Sequence, residues 1–201
     1  MSDGINKHMM NLHDTSFTTC AIGRVVIHDA DTGEMILDKK NAIHPQNMAL
    51  AIARSLARET NGYVFKLGFG NGGTFLNSGL QINYRSPNTI GSADLYNLTY
   101  EIQVDEQTVG TPVGNSVVSL QSPTPALTSM VVVTAQLSSN EPAGQSLADN
   151  TTFDPNASFF FDEIGLKTAD DLLLSHLVFS PIEKTGNRSF LITYTLTISV
   201  S

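Results

Sequence analysis

The chain of 201 residues has no tryptophan and a single cysteine, Cys20. One cysteine excludes an intramolecular disulfide and a cysteine-rich metal site, and we expect a small, buried or partly buried thiol there rather than a nucleophile. No apolar run reaches the length of about 20 residues that a membrane-spanning helix needs. The first residues, Met1 to Asp14, lack the apolar centre of a secretory signal peptide. We therefore expect a chain that folds in a reducing cytoplasm without a membrane partner.

Basic residues are also few. The sequence has 11 Lys and Arg against 19 Asp and Glu, which gives a formal net charge of −8. The basic residues are scattered, whereas binding to nucleic-acid phosphates requires clustered cations. The composition therefore predicts no nucleic-acid partner, and its acidity favours solubility without indicating a fold.

Motifs of hydrolases and metalloenzymes are missing as well. There is no Gly-x-Ser-x-Gly and no His-Glu-x-x-His, and the five histidines are not spaced as metal ligands. His176 alternates with apolar neighbours, which favours a hydrogen-bonded core or interface histidine, and His44 precedes Pro45 where it can close a helix entrance. Asp162 and Glu163 are adjacent, so on a strand they point to opposite faces instead of forming a catalytic pair. We predict no catalytic residues, no cofactor site, no metal site and no enzymatic activity.

Two short motifs resemble ligand-binding loops but lack the context that those loops need. Asp29–Gly33 has the acidic spacing of a calcium loop without its closing glutamate, so it predicts the turn of a β-hairpin. Gly68–Gly73 matches Gly-x-Gly-x-x-Gly, but a dinucleotide site needs a helix next, and Thr74–Gly79 has no helical period. This second motif predicts a tight glycine turn on a sheet rim.

The most regular pattern lies in the C-terminal stretch from Ser158 to Ser201. Apolar residues occupy every second position from Phe190 to Val200, which predicts a strand with one buried face. The apolar run Leu172–Phe179 predicts another strand. A polar turn at Lys184–Asn187 lies between them, so we expect the two strands to be antiparallel neighbours.

The remaining elements predict a mainly β fold with one helix. The helix is expected at residues 45–60, because Pro45 suits a first helical position and Asn61-Gly62 suits an end. With seven or eight strands and no repeat, the sequence predicts a β-sandwich with jelly-roll or Greek-key connections and the helix packed on it. Residues 1–15 are expected to be an arm that is flexible or ordered by a partner, and residues 16–201 a single domain.

Two long polar stretches interrupt the predicted strands. They run from Asn77 to Leu95 and from Asp105 to Pro125. Loops of this length commonly bind partners, so we expect both stretches and the N-terminal arm to form contacts in an assembly.

Several segments together resemble virion proteins of tailed bacteriophages, in particular tail-fibre collar segments and baseplate-associated structural proteins. The matching segments are Glu163–Leu166, Leu173–Phe179, Pro181, Lys184-Thr185, Phe190–Val200 and, upstream, Lys40–His44 before the helix and Phe69–Gly73. The resemblance implies a non-enzymatic structural component of the particle, assembled in the host bacterial cytoplasm with other virion proteins and copies of itself.

The resemblance leaves the position within the particle open. It favours the tail or baseplate, then a neck or collar position, then a capsid decoration protein. A carbohydrate-binding β-sandwich is the alternative function, although the lack of tryptophan gives a glycan partner no support. A cell-wall hydrolase ranks third because no acid–base pair supports it.

Overall fold

A computed structural model of the chain describes residues 18–104, 117–122, 127–139, 141–142 and 159–200. Within these ranges the chain forms one helix and eleven strands, three or four more strands than the sequence predicted. The predicted arm (1–15) and most of the predicted loop 105–125 lie outside the described residues.

The helix lies between the second and third strands. Along the chain the elements are β1 (Thr19–Asp29), β2 (Met35–Ile43), α1 (Pro45–Leu56), β3 (Val64–Gly70), β4 (Thr74–Leu76), β5 (Ile82–Tyr84), β6 (Leu98–Gln103), β7 (Val117–Gln121), β8 (Thr128–Leu137), β9 (Phe159–Thr168), β10 (Leu173–Lys184) and β11 (Phe190–Val200).

Nine strands form one curled antiparallel sheet in the order β6-β3-β9-β10-β2-β1-β11-β8-β7. Strand β2 belongs to both halves of the sheet, since Asn41 pairs with β1 while Ala42 pairs with β10. We call the two parts the β11 half (β1, β11, β8 and β7) and the β9 half (β6, β3, β9 and β10). The small strands β4 and β5 form a separate hairpin.

The inner faces of the two halves pack against each other in one apolar core, as in a β-sandwich. Val25, Ile192 and Val133 come from the β11 half, and Phe69 and Leu166 from the β9 half. Because side chains alternate along a strand, each strand of the predicted period-two type can bury one face here. The mainly β, sandwich-like fold is therefore confirmed.

Helix α1 packs through Met48 and Ala51 against Leu174 and Leu196, one residue from each half of the sheet. Its start is confirmed, with His44 as the N-cap, but it ends at Leu56 rather than at residue 60. The helix stops early because Arg58 has a left-handed backbone with φ 62°.

The predicted pairing of the two C-terminal strands is wrong. Strand β11 pairs with β1 and β8, whereas β10 pairs with β9 and β2. The two strands instead face each other across the core, where the hydroxyl of Tyr194 meets the hydroxyl of Ser175. The polar turn between them carries the chain from one half to the other. A turn of that composition is equally suited to both geometries, so sequence alone could not separate them.

Two smaller expectations need correction. The stretch 77–95, predicted as a loop, contains the short strand β5 (Ile82–Tyr84), which pairs with β4, whereas its other residues form neither helix nor strand. Cys20 is exposed, not buried, because the first residues of β1 extend past the edge of the core.

Candidate interaction surface

The outer face of the β9 half is covered by residues 71–97, which we call the covering segment. Strand β9 turns Ile164 and Leu166 into the core. The alternate residues Glu163 and Lys167 contact the covering segment, in agreement with the period-two geometry of a strand. The covering segment is therefore attached to the sheet by side chains that the sequence presents as ordinary strand residues.

Glu163 is a buried acceptor for the covering segment. Its carboxylate accepts hydrogen bonds from the main-chain N–H groups of Gly72 (3.1 Å), Tyr96 (2.9 Å) and Asn97 (2.8 Å). It also lies 3.0 Å from Nε2 of His176, and neither of these two side chains is exposed. Four donors on one carboxylate satisfy a charge that would otherwise be costly to bury.

His176 links the same carboxylate to a second point of the covering segment. Its Nδ1 accepts a 2.7 Å hydrogen bond from the main-chain N–H of Asn88. The ring proton therefore lies on Nε2 and is donated to Glu163. His176 is a hydrogen-bonded core histidine, as its apolar neighbours predicted.

The pKa of Glu163 reflects two opposing causes. Burial raises it, but the hydrogen bond from His176 and those from the main chain outweigh burial, so the pKa lies below its ordinary value. At neutral pH the group is an ionised carboxylate, held as a structural acceptor with no exposed surface.

Asp162 holds the start of the hairpin. Its carboxylate accepts from the main-chain N–H groups of Gly73 and Thr74, both at 2.8 Å, and from the Thr74 hydroxyl. Here burial dominates over these hydrogen bonds and raises the pKa of Asp162. The two adjacent carboxylates thus hold different points of the covering segment.

The prediction that Gly68–Gly73 is a tight turn on a sheet rim is wrong for the first half of the motif, because Gly68 and Gly70 lie within β3 and pair with strands on both sides. The second half has a role that sequence reasoning missed. Its main-chain N–H groups bind anions, but these anions are the chain's own carboxylates on β9. A Cβ at Gly70 would lie 2.5 Å from the main-chain oxygen of Asn97, and one at Gly165 would lie 2.5 Å from Cδ1 of Leu95. The glycines let the covering segment lie directly on the sheet.

Further contacts fix the rest of the covering segment. His44 caps α1 by accepting from the N–H of Asn47, and its Nε2 lies 3.1 Å from the carbonyl oxygen of Gly91. The buried ammonium of Lys167 lies 3.2 Å from Asp94 and 3.0 Å from Glu101. Burial lowers the pKa of Lys167, but these two carboxylates outweigh it and leave the pKa raised.

The β4–β5 hairpin presents apolar side chains to solvent from this fixed base. The exposed fractions are 48% for Phe75, 62% for Leu76, 80% for Leu80, 47% for Ile82 and 53% for Tyr84. We call these five side chains, together with Tyr96, Arg85 and Lys39, the hairpin surface. Because neighbouring strand residues point to opposite faces, Leu76, Ile82 and Tyr84 lie on one face of the hairpin and Phe75 lies on the other. Exposed large apolar side chains of this kind are typical of a protein–protein contact.

Two cations lie over the aromatic rings of the hairpin surface. The Arg85 guanidinium lies 5.5 Å from the ring centre of Phe75 and 5.0 Å from that of Tyr96. The Lys39 ammonium lies 5.9 Å from the ring centre of Tyr84. Neither cation has a carboxylate partner among the residues that the structure describes.

The acidic motif Asp29–Gly33 forms the predicted turn between β1 and β2. The Asp29 carboxylate accepts hydrogen bonds from the N–H groups of Asp31 and Thr32 and from the Arg188 guanidinium. Across the described ranges, no three His, Cys, Asp or Glu side chains are grouped so that they could hold a metal ion. In the same ranges no helix is long and apolar enough to span a membrane.

The chain was compared with family models, curated proteins and solved structures. No family model, curated protein or solved structure matches the chain.

Proposed function

We propose that the protein is a non-enzymatic structural component of a tailed-phage particle, in the tail or baseplate. The observation that supports an assembly role is the hairpin surface, where exposed aromatic and aliphatic side chains are carried on a hairpin fixed by Asp162 and Glu163. A contact surface that is rigid before binding loses little conformational entropy when it binds. The phage particle itself rests on the resemblance of the C-terminal segments and of the glycine motif.

The proposed position in the particle rests on the same resemblance. Tail-fibre-like segments favour the tail or baseplate over a neck, collar or capsid decoration position. The test is electron microscopy of purified particles carrying a small tag on this chain. Label at the tail or baseplate is expected, and particles that assemble without the protein would overturn the proposal.

A carbohydrate-binding role is the second candidate, because one observation favours it. A cleft of about 710 Å³ separates the hairpin from the body and is lined by Phe75 and Phe160 with Asn71 and Asp162. Aromatic faces beside amide and carboxylate groups are suited to sugar rings. Titration with host-surface glycans tests this role, and loss of binding in Phe75→Ala would place the sugar in the cleft.

A further inference from the structure

The tip of the hairpin surface combines exposure with an unfavourable backbone. Leu80 is 80% exposed and has a left-handed φ of 58°, a conformation that favours glycine or asparagine over leucine. The Asn77 side chain fixes this turn by accepting from the N–H groups of Gly79 (2.9 Å) and Gln81 (3.0 Å). A leucine held outward at the cost of backbone strain indicates a contact made outside this chain.

The charge around the hairpin indicates what makes that contact. No Asp or Glu occurs from Thr60 to Ala93, although the whole chain has a formal net charge of −8. Lys39 and Arg85 lie over aromatic rings there without a carboxylate partner among the described residues. Such a surface is complementary to one with exposed carboxylates beside apolar groups.

The chain itself offers exposed carboxylates at the β1–β2 end of the sandwich. Asp31, Glu34 and Glu183 are exposed and form no ion pair in the described part of the chain. The main-chain N–H of Ala30 donates to the carbonyl oxygen of Ser189 (2.8 Å), which joins this turn to the connection between β10 and β11.

We propose that the hairpin surface binds a second copy of this chain through the face that carries Phe75, with Arg85 facing the exposed carboxylates Asp31, Glu34 and Glu183 of that copy. Two hairpin surfaces facing each other would bring cations together, so the contact joins unlike surfaces. Repetition of such a contact produces a ring or a filament. This inference rests on the proposed assembly function and names a second copy of the chain as the partner.

The experiment is sedimentation velocity of the full-length chain over a concentration series at low and high salt. Concentration-dependent association is expected at low salt, weaker at high salt because exposed charges are screened. Arg85→Glu is expected to weaken association by about tenfold or more. Arg58→Glu is the matched control, since Arg58 is also exposed but lies outside the hairpin surface.

A charge exchange supplies the decisive comparison. Chains with Arg85→Glu are mixed with chains carrying Glu34→Arg and Glu183→Arg, and the mixture is expected to associate more tightly than the Arg85→Glu chain alone. Leu80→Asn removes the exposed leucine, suits the left-handed turn, and is expected to weaken association without unfolding the chain. A chain that stays monomeric throughout, or that responds equally to Arg58→Glu and Arg85→Glu, overturns the inference.

The particle-labelling experiment and the self-association experiment can each give a negative result independently of the other. A chain that self-associates through the hairpin but is absent from particles overturns the proposed function alone. A chain found in particles that never binds its own copy overturns this inference alone.

Discussion

His176 and Glu163 form a hydrogen bond of 3.0 Å between Nε2 and Oε2, with both side chains fully buried. The two residues lie on neighbouring strands, β10 and β9, and together hold three separate points of the covering segment. A histidine beside a carboxylate is often an acid–base pair in an enzyme. Here both side chains are fully buried and each is hydrogen-bonded to the main chain of residues 71–97, so the pair connects parts of the fold.

Replacing Glu163 with glutamine is expected to lower the free energy of unfolding by about 3 kcal/mol. The amide retains one acceptor oxygen but places an NH₂ group among N–H donors, which leaves buried donors without a partner. Urea unfolding measures the loss. Glu183→Gln, at an exposed position on β10, should leave the unfolding midpoint unchanged; equal midpoints for the two variants would contradict this role of Glu163.

Gly70→Ala is expected to destabilise the chain by about 1–3 kcal/mol, because the added methyl group forces backbone apart. The new Cβ would lie 2.5 Å from the Asn97 carbonyl oxygen and 2.5 Å from Oε1 of Glu163. Limited proteolysis should show earlier cleavage within residues 71–97. Gly186→Ala is the control, since nothing lies within 4 Å of its Cβ position. If cleavage is as slow as in the control, the glycine is not needed for this close contact.

Leu80→Asn is expected to stabilise the isolated chain by about 1 kcal/mol, since asparagine tolerates a left-handed backbone better than leucine does. Thermal unfolding measures the change as an increase in the midpoint. Leu76→Asn, in strand β4 and also exposed, is the comparison because its backbone is not left-handed. A lower midpoint for Leu80→Asn would show that Leu80 packs within its own chain.

Tyr194→Phe is expected to destabilise the core by about 1–3 kcal/mol, because the Ser175 hydroxyl and the Asn41 amide lose their common partner. The double variant with Ser175→Ala should recover part of this loss, since both buried polar groups of the pair are then removed. Strictly additive losses in urea unfolding would mean that the two hydroxyls do not interact across the core.

The pH dependence of stability should include a contribution from Asp29. The main-chain N–H of Thr32, followed by the Arg188 guanidinium, lowers the pKa of Asp29 to about 2. The unfolded chain then takes up this proton at a higher pH than the folded chain, so the contribution is complete above about pH 4 and is lost towards pH 2. Unfolding midpoints of Asp29→Asn should fall less steeply over that range, and an unchanged slope would contradict this assignment.

Sequence and structure agree where local rules are sufficient. The alternation predicted the buried face of β11 correctly from Phe190 to Leu196, although Val200 at the end of the strand is exposed, and Pro45 placed the start of α1. The lack of a helical period after Gly73 correctly predicted that no helix follows the glycine motif, where the short strand β4 begins instead. Each of these depends only on neighbours in the chain.

The sequence by itself determined a mainly β domain with one helix, the alternating burial of its strands and the turn at Asp29. Only the tertiary structure decided that β10 faces β11 across the core, that Glu163 and His176 hold residues 71–97, and that the β4–β5 hairpin presents its apolar side chains outward. The physical reason is that periodicity records whether a side chain is buried, whereas the identity of its partner depends on which distant segments the sheet brings together.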